Sequence, residues 1–156
     1  MLEIGATAPP FSLSNHRGEE VSLESIDAEF VVVYFYPRAD TPGCTTEACG
    51  FRDRWEAFND TDVAVVGISD DPVADLESFA AKYDLPFDLL SDTDGTVASA
   101  YDSYGEKNVF GNVVEGVFRN TYVIDADGEI SLAYEGVDPE EHAVRILSDV
   151  RSLRSD

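Results

Sequence analysis

Val31-Val32-Val33-Tyr34-Phe35-Tyr36 is an unbroken apolar run, β-branched in its first half and closed by Pro37. A strand sends alternate side chains to opposite faces, so a run with no polar residue on either face needs cover on both. It therefore predicts a central strand buried on both sides. Val63–Ile68 repeats the pattern, and Phe87–Leu90 is a shorter third strand. Helical spacing fills the gaps between them. Cys44, Ala48, Phe51, Trp55 and Phe58 predict one helix from near Cys44 to about Asn59, after a loop over Arg38–Gly43. Pro72 opens another helix to about Tyr83, with Leu76, Phe79 and Ala80 inward and Asp70 or Asp71 as its cap.

The flanks read more simply. Pro9–Leu23 predicts an edge hairpin around Asn15-His16-Arg17-Gly18, followed by a helical turn within Ser22–Ile26. Thr96–Tyr101 predicts a short helix and Tyr104–Val114 a glycine-containing loop. Arg119–Asp125 and Glu129–Tyr134 form a strand pair around Ala126-Asp127-Gly128. Pro139 sets up a last helix lined by Ala143, Ile146, Leu147 and Val150. The order is strand, helix, strand, helix, strand, hairpin, helix, which indicates an α/β sandwich around a mixed sheet. The 156 residues read as one domain, with no repeat, linker or low-complexity segment.

Charge narrows the partners. Thirty-two acidic against ten basic residues give a net charge of −22, spread along the whole chain, and only Lys82 and Lys107 are lysines. The apolar runs exclude disorder as its cause. An acidic, lysine-poor surface is expected of a halophilic protein, where salt screens the self-repulsion. With no basic stripe to neutralise phosphates, nucleic acid is excluded as a partner. No segment approaches the roughly 18–20 apolar residues of a membrane span. Met1–Ala8 carries Glu3 and no apolar stretch follows, so the expected address is the cytoplasm.

Cys44 and Cys49 are the only cysteines, five residues apart. Structural zinc needs two further ligands, and His16 and His142 are far from the pair in sequence, so redox chemistry is the better reading. The segment Pro37-Arg38-Ala39-Asp40-Thr41-Pro42-Gly43-Cys44-Thr45-Thr46-Glu47-Ala48-Cys49-Gly50-Phe51 is a buried strand, a turn, and a cysteine in the first turn of a helix. Unpaired N–H groups and the helix dipole favour a thiolate there, which makes Cys44 a candidate nucleophile. Thr41, three residues earlier, is close enough to hydrogen-bond the sulfur or an incoming oxygen. This chemistry specifies a reactive thiol and leaves its substrate open.

The same residues carry a family resemblance. Pro37, Thr41 and Cys44 match the peroxiredoxin pattern of proline, three residues, threonine, two residues, cysteine. Thr41-Pro42-Gly43-Cys44-Thr45 with Glu47, Cys49 and Phe51 resembles the bacterioferritin-comigratory, or Q-type, subfamily. Gly5, Ala8-Pro9 and Phe11, Gly67-Ile68-Ser69 with Asp71, Leu85-Pro86-Phe87 with Leu90-Ser91-Asp92, and Arg119–Asp125 extend the likeness over nearly the whole chain. The resemblance implies a thioredoxin-like fold, with a central mixed β-sheet flanked by helices. It also implies a peroxidatic Cys44, a resolving Cys49, Thr41 and Arg119 completing the catalytic set, and Pro37 shaping the pocket. Peroxide would be the substrate and a thioredoxin-like dithiol the reductant, with no metal or organic cofactor. A resolving cysteine in the same chain favours a monomer. Asn120 departs from the pattern, which has serine or threonine after the arginine.

The plainer readings stand beside these. Taken alone, Cys49 fits a small buried hydrophobe, and Arg119 a solvated strand arginine. Arg38 reads as electrostatic support. Glu47 reads as a local cap or as an ion pair with Arg52 or Arg54, outside catalysis. His16 and His142 read as solvated, Asp92–Gly95 and Asp125–Gly128 as turns, and Phe51, Trp55 and Phe58 as core. The competing functions are a thiol–disulfide oxidoreductase, whose usual two-residue cysteine spacing is missing here, and a redox sensor switched at Cys44.

Overall fold

A computed structural model describes residues 2–109, 111–136 and 141–154. Its elements are β1 (Ser12–Asn15), β2 (Glu20–Ser22), a 3-10 turn (Leu23–Ser25), β3 (Phe30–Phe35), α1 (Pro42–Asp53), α2 (Trp55–Asp60), β4 (Val63–Ser69), α3 (Val73–Tyr83), β5 (Asp88–Ser91), α4 (Thr96–Ala100), β6 (Tyr104–Val109), β7 (Asn112–Val117), β8 (Thr121–Asp125), β9 (Ile130–Tyr134) and α5 (His142–Arg154).

The main sheet runs β2-β1-β5-β4-β3-β8-β9. β3, β4 and β5 are parallel, and β1, β8 and β9 join antiparallel. This is the mixed sheet flanked by helices of a thioredoxin-like fold. All six residues of β3 are buried. Val32, Tyr34 and Tyr36 pack on one face with Ala48, Phe51, Phe58, Leu76, Phe79 and Ile146 from the helices. Val31, Val33 and Phe35 pack on the other with Ile68, Leu90, Tyr101, Tyr122 and Ile124. The period of two divides the run between two cores, as a doubly covered strand requires. No helix among the described residues is long and apolar enough to cross a membrane.

Three elements depart from the sequence expectations. The predicted 44–59 helix begins earlier, at Pro42, and breaks at Arg54. Neither glycine nor proline marks the break. Trp55 meets Phe87 and Phe58 meets Phe51 on one core patch, so tertiary packing sets it. The predicted 104–114 loop is an antiparallel hairpin, β6–β7. Among its described side chains Val117 is buried but Val113 is 67% exposed, so no regular alternation announces a strand. Finally, α3 has Pro72 as its N-cap and no side-chain cap. The Asp71 carboxylate instead accepts from Ala39 N–H in the loop before α1. Pro139 lies outside the described residues.

Candidate active site

Pro37, without an N–H, follows the last ladder bond of the central strand, from Tyr36 N–H to Ile68 O (3.1 Å). The chain then makes a short loop fastened at three points. Ala39 N–H donates to Asp71 Oδ2 (2.7 Å), an oxygen that also accepts from Ser69 Oγ (2.8 Å). Asp40 sits in left-handed backbone space at φ 59°, where its carboxylate accepts from Lys82 Nζ (2.9 Å) and Tyr83 Oη (2.9 Å). Thr41 Oγ1 donates to Arg38 O (2.8 Å), not to the sulfur. The hydroxyl proton of Thr41 is therefore engaged, and its lone pairs are what it offers an incoming group. Arg38 reaches Asp71 Oδ1 at 3.5 Å and is exposed.

Thr41 is the N-cap of α1, Pro42 takes the first position, and Cys44 follows in the first turn. The N–H groups of Gly43 and Cys44 belong to the set that no helical carbonyl can reach. Cys44 is 1% exposed, and Arg119 Nη2 donates to its Sγ at 3.3 Å. A cation and the positive end of a helix converge on one sheltered sulfur, where little water screens them.

Arg119 is placed by its neighbours. Phe118 N–H bonds Ser103 O (2.7 Å) and Asn120 O accepts from Phe35 N–H (2.8 Å), tying this connection between β7 and β8 to the sheet. Asn120 Nδ2 donates to Ser103 Oγ (3.2 Å) and its Oδ1 accepts from Gly136 N–H (3.1 Å). The substituted amide is thus bonded on both sides.

Glu47 is where the sequence reading fails. Its side chain is 0% exposed, and it pairs with Arg119 (Nη1–Oε1 3.2 Å), not with Arg52 or Arg54. Desolvation pushes its carboxyl up to about 7, against the downward pull of Arg119. Burial opposes the Arg119 charge too, but Cys44 and Glu47 more than offset it and hold the guanidinium above its ordinary value. The signal was present: Cys44, Glu47, Ala48 and Phe51 are the i, i+3, i+4, i+7 face of one helix, and a carboxylate on that face needs a cation. Cys49 lies off that face, partly exposed and unbridged.

Both histidines are buried rather than solvated. His142 Nε2 meets Thr121 Oγ1 at 2.8 Å, and desolvation, helped by Arg145 and Arg119, lowers it to about 4. His16 accepts from Leu89 N–H through Nδ1 (3.3 Å), and desolvation lowers it as well.

Residues 4–133 match the profile of the AhpC/TSA family. The chain belongs to that family of peroxiredoxins. Within it the Bcp, or Q-type, members match closely. The Coxiella burnetii protein bcp, described as a peroxiredoxin, is 44% identical over 146 residues, covering 94% of this chain and 97% of its own. The structure of peroxidoxin BcpB from Mycobacterium tuberculosis superposes with a TM-score of 0.88 at 34% identity, covering 97% of this chain and 98% of that one. The bacterioferritin comigratory protein of Xanthomonas campestris, described for its alkyl peroxide reduction activity, gives 0.87 at 32% identity, with 97% of each chain covered. In this AhpC/TSA chain the motif residues Pro37, Thr41, Cys44 and Arg119 fall at one end of the central strand, and Arg119 touches the sulfur directly.

Proposed function

We propose that this peroxiredoxin is a single-domain thiol peroxidase in which Cys44 attacks the peroxide and Cys49 resolves the product. The observation that carries the reading is the Arg119 guanidinium donating to Cys44 Sγ at 3.3 Å, in the first turn of α1. The sulfur attacks the terminal oxygen of the hydroperoxide in line with the O–O bond. That bond breaks, the electron pair leaves on the second oxygen, and the oxygen departs as water or an alcohol once protonated. Arg119 and the first-turn N–H groups face the developing negative charge. Thr41, its own proton on Arg38 O, receives the peroxide O–H as an acceptor. Cys44 is left as a sulfenic acid. Cys49 condenses with it, releasing water and forming the disulfide, which a thioredoxin-like dithiol reduces.

Pro37 and the loop fastened by Asp71 shape the approach to the sulfur. An organic hydroperoxide is a substrate class supported by the X. campestris relative. The cycle needs no metal or organic cofactor. A resolving cysteine in the same chain supports a monomer, and the charge of −22 supports a salt-rich cytoplasm.

Donor-coupled peroxide consumption tests the reading. Cys44→Ser abolishes it, whereas Cys49→Ser consumes one equivalent and stops. Peroxidase activity surviving in Cys44→Ser overturns the assignment. Disulfide reduction without peroxide would favour an oxidoreductase, and fast stoichiometric oxidation with no turnover on any donor would favour a sensor.

A further inference from the structure

Glu47 lies between Cys44 and Cys49 in the chain, and its side chain is sealed from solvent. Oε1 accepts from Arg119, while Oε2 is buried without a hydrogen-bond partner among the described residues. Cys44 faces it from the same helix and Arg119 from the β7–β8 connection. Tyr34 and Tyr36, from the central strand, face it with phenols kept protonated by burial. On the α5 side, His142 is neutral at ordinary pH and Arg145 stands next to it. A buried carboxyl with one partner and one orphaned oxygen is a costly group to keep on an apolar helix face.

The proposed disulfide removes that burial. Five residues of intact α-helix advance about 7.5 Å and turn about 140°, placing the two Cα atoms roughly 8.6 Å apart. A disulfide needs them within about 7 Å, with the Cβ vectors facing. The turn from 44 to 49 must therefore unwind, and Glu47 owes its inward position to that turn.

We propose that Glu47 is a proton-linked latch on the active-site helix: it is held against Arg119 while the turn is wound, and is expelled to water, losing its proton, as Cys44 and Cys49 join. This rests on the Cys44–Cys49 reading above. The covalent step is Cys44–SOH plus HS–Cys49 giving the S–S bond and water; the Glu47 proton leaves separately to solvent, and nothing else is oxidised or reduced.

The direction with pH follows from linkage. Wound, the carboxyl is raised to about 7; in water it returns to its ordinary value of 4.5. Between those values the wound turn holds a proton that the open turn does not, so rising pH favours opening, by up to about tenfold per unit. Below that window both forms are protonated, and above it both are ionised. Acidification therefore keeps the latch shut and lengthens the life of the sulfenic acid.

Proton counting tests this. Wild type and Glu47→Gln are each oxidised with one equivalent of peroxide in weakly buffered indicator dye, and the Cys44–Cys49 bond is quantified by mass spectrometry. Near the middle of the window, at about pH 5.7, wild type should release more protons per disulfide than Glu47→Gln, by roughly half a proton or more. At about pH 8.5 the two counts should be equal. A disulfide formed with equal proton counts at both pH values overturns the latch. Absence of the Cys44–Cys49 bond in oxidised wild type overturns instead the cycle on which it rests. If Glu47→Gln does not fold, wild type alone decides. The infrared band of a protonated carboxyl should be present in the reduced protein at about pH 5.7 and vanish on oxidation, and its persistence refutes the idea.

Discussion

Replacing Arg119 by alanine should separate what this residue does for the reaction from what it does for the fold. Its Nη2 is 3.3 Å from Cys44 Sγ and its Nη1 is 3.2 Å from Glu47 Oε1, so one deletion removes two charge-assisted bonds. The bond to sulfur is of the class worth about 1.5–3 kcal/mol, a loss of about ten- to 150-fold in the peroxide rate. The loss to the fold comes from Glu47: without the pull of Arg119 burial raises its carboxyl above 7, so it keeps its proton at neutral pH and becomes a stranded charge only in more alkaline solution. In that alkaline range breaking the buried pair costs about 3 kcal/mol, the low end of its range, because Arg119 remains 20% exposed. For a chain of this size that lowers Tm by about 6–12 °C. The destabilisation should therefore be small below pH 7, where Glu47 holds its proton in both proteins, and grow as pH rises above 7, where only wild type ionises against a partner. Adding Glu47→Gln should restore most of the Tm, because the stranded charge is gone, while the peroxide rate stays slow. Stopped-flow peroxide consumption and thermal melts on the single and double substitutions give both readings. A double substitution that recovers the wild-type rate would show that Arg119 acts only by holding the fold, and an Arg119→Ala rate within twofold of wild type would remove it from the chemistry.

Gly67→Ala should cost about 1–3 kcal/mol by overpacking, because the new Cβ would stand 2.6 Å from Tyr34 Cζ, in a ring stacked on Phe51 at 4.9 Å. Combined with Tyr34→Val the losses should be less than additive, and a wild-type Tm for Gly67→Ala would contradict the packing. His142, depressed to about 4, contributes stability that is complete above its ordinary value of 6.5 and is lost as pH falls through 4. Melts from about pH 7 to 4 should therefore show a smaller decline in His142→Gln than in wild type, and equal slopes would refute it. With a net charge of −22, Tm should fall on dialysis from molar to millimolar salt, and a flat or rising Tm would end the halophilic reading.

Legibility in the sequence followed how locally each feature was determined. Both faces of β3, the parallel neighbours and the position of Cys44 follow from patterns within a few residues: an apolar run, a helical stripe, a proline and a cysteine at a helix start. The β6–β7 hairpin was hidden because exposed Val113 and buried Val117 do not make the regular alternation that marks a strand. The break at Arg54 was hidden because its cause, Trp55 on Phe87, lies across the fold. Glu47 shows a third kind of failure. Charged residues are assumed to point outward and to seek local partners, and Arg52 and Arg54 lay close by in sequence. Its actual partner is 72 residues away. Asp71 failed the same way: at the start of a helix it reads as a cap, whereas its carboxylate accepts from Ala39 N–H and fixes the loop before Cys44.

The start of α1 answers two opposed demands. Placing Cys44 against Arg119 requires a wound first turn, and the proposed bond to Cys49 would require that turn to be undone. The distribution of contacts along the helix suits both. At its start the N-cap Thr41 sends its hydroxyl back to Arg38 O and makes no capping bond to the helix, so Glu47–Arg119 is a chief polar tie across the turn. Seven residues on from Cys44, Phe51 is held by Tyr34, Phe58, Phe87 and His142. Opening therefore has a natural stopping point at Phe51. Gly50 lies just before it, and an added Cβ there would make only an ordinary 3.8 Å contact with Ala143. Packing does not call for a glycine at that position, but the proposed opening would use one as a hinge, because glycine reaches backbone conformations closed to other residues. The weak beginning and the anchored middle of α1 are thus two parts of one arrangement, which would confine the proposed unwinding to the turns before Phe51.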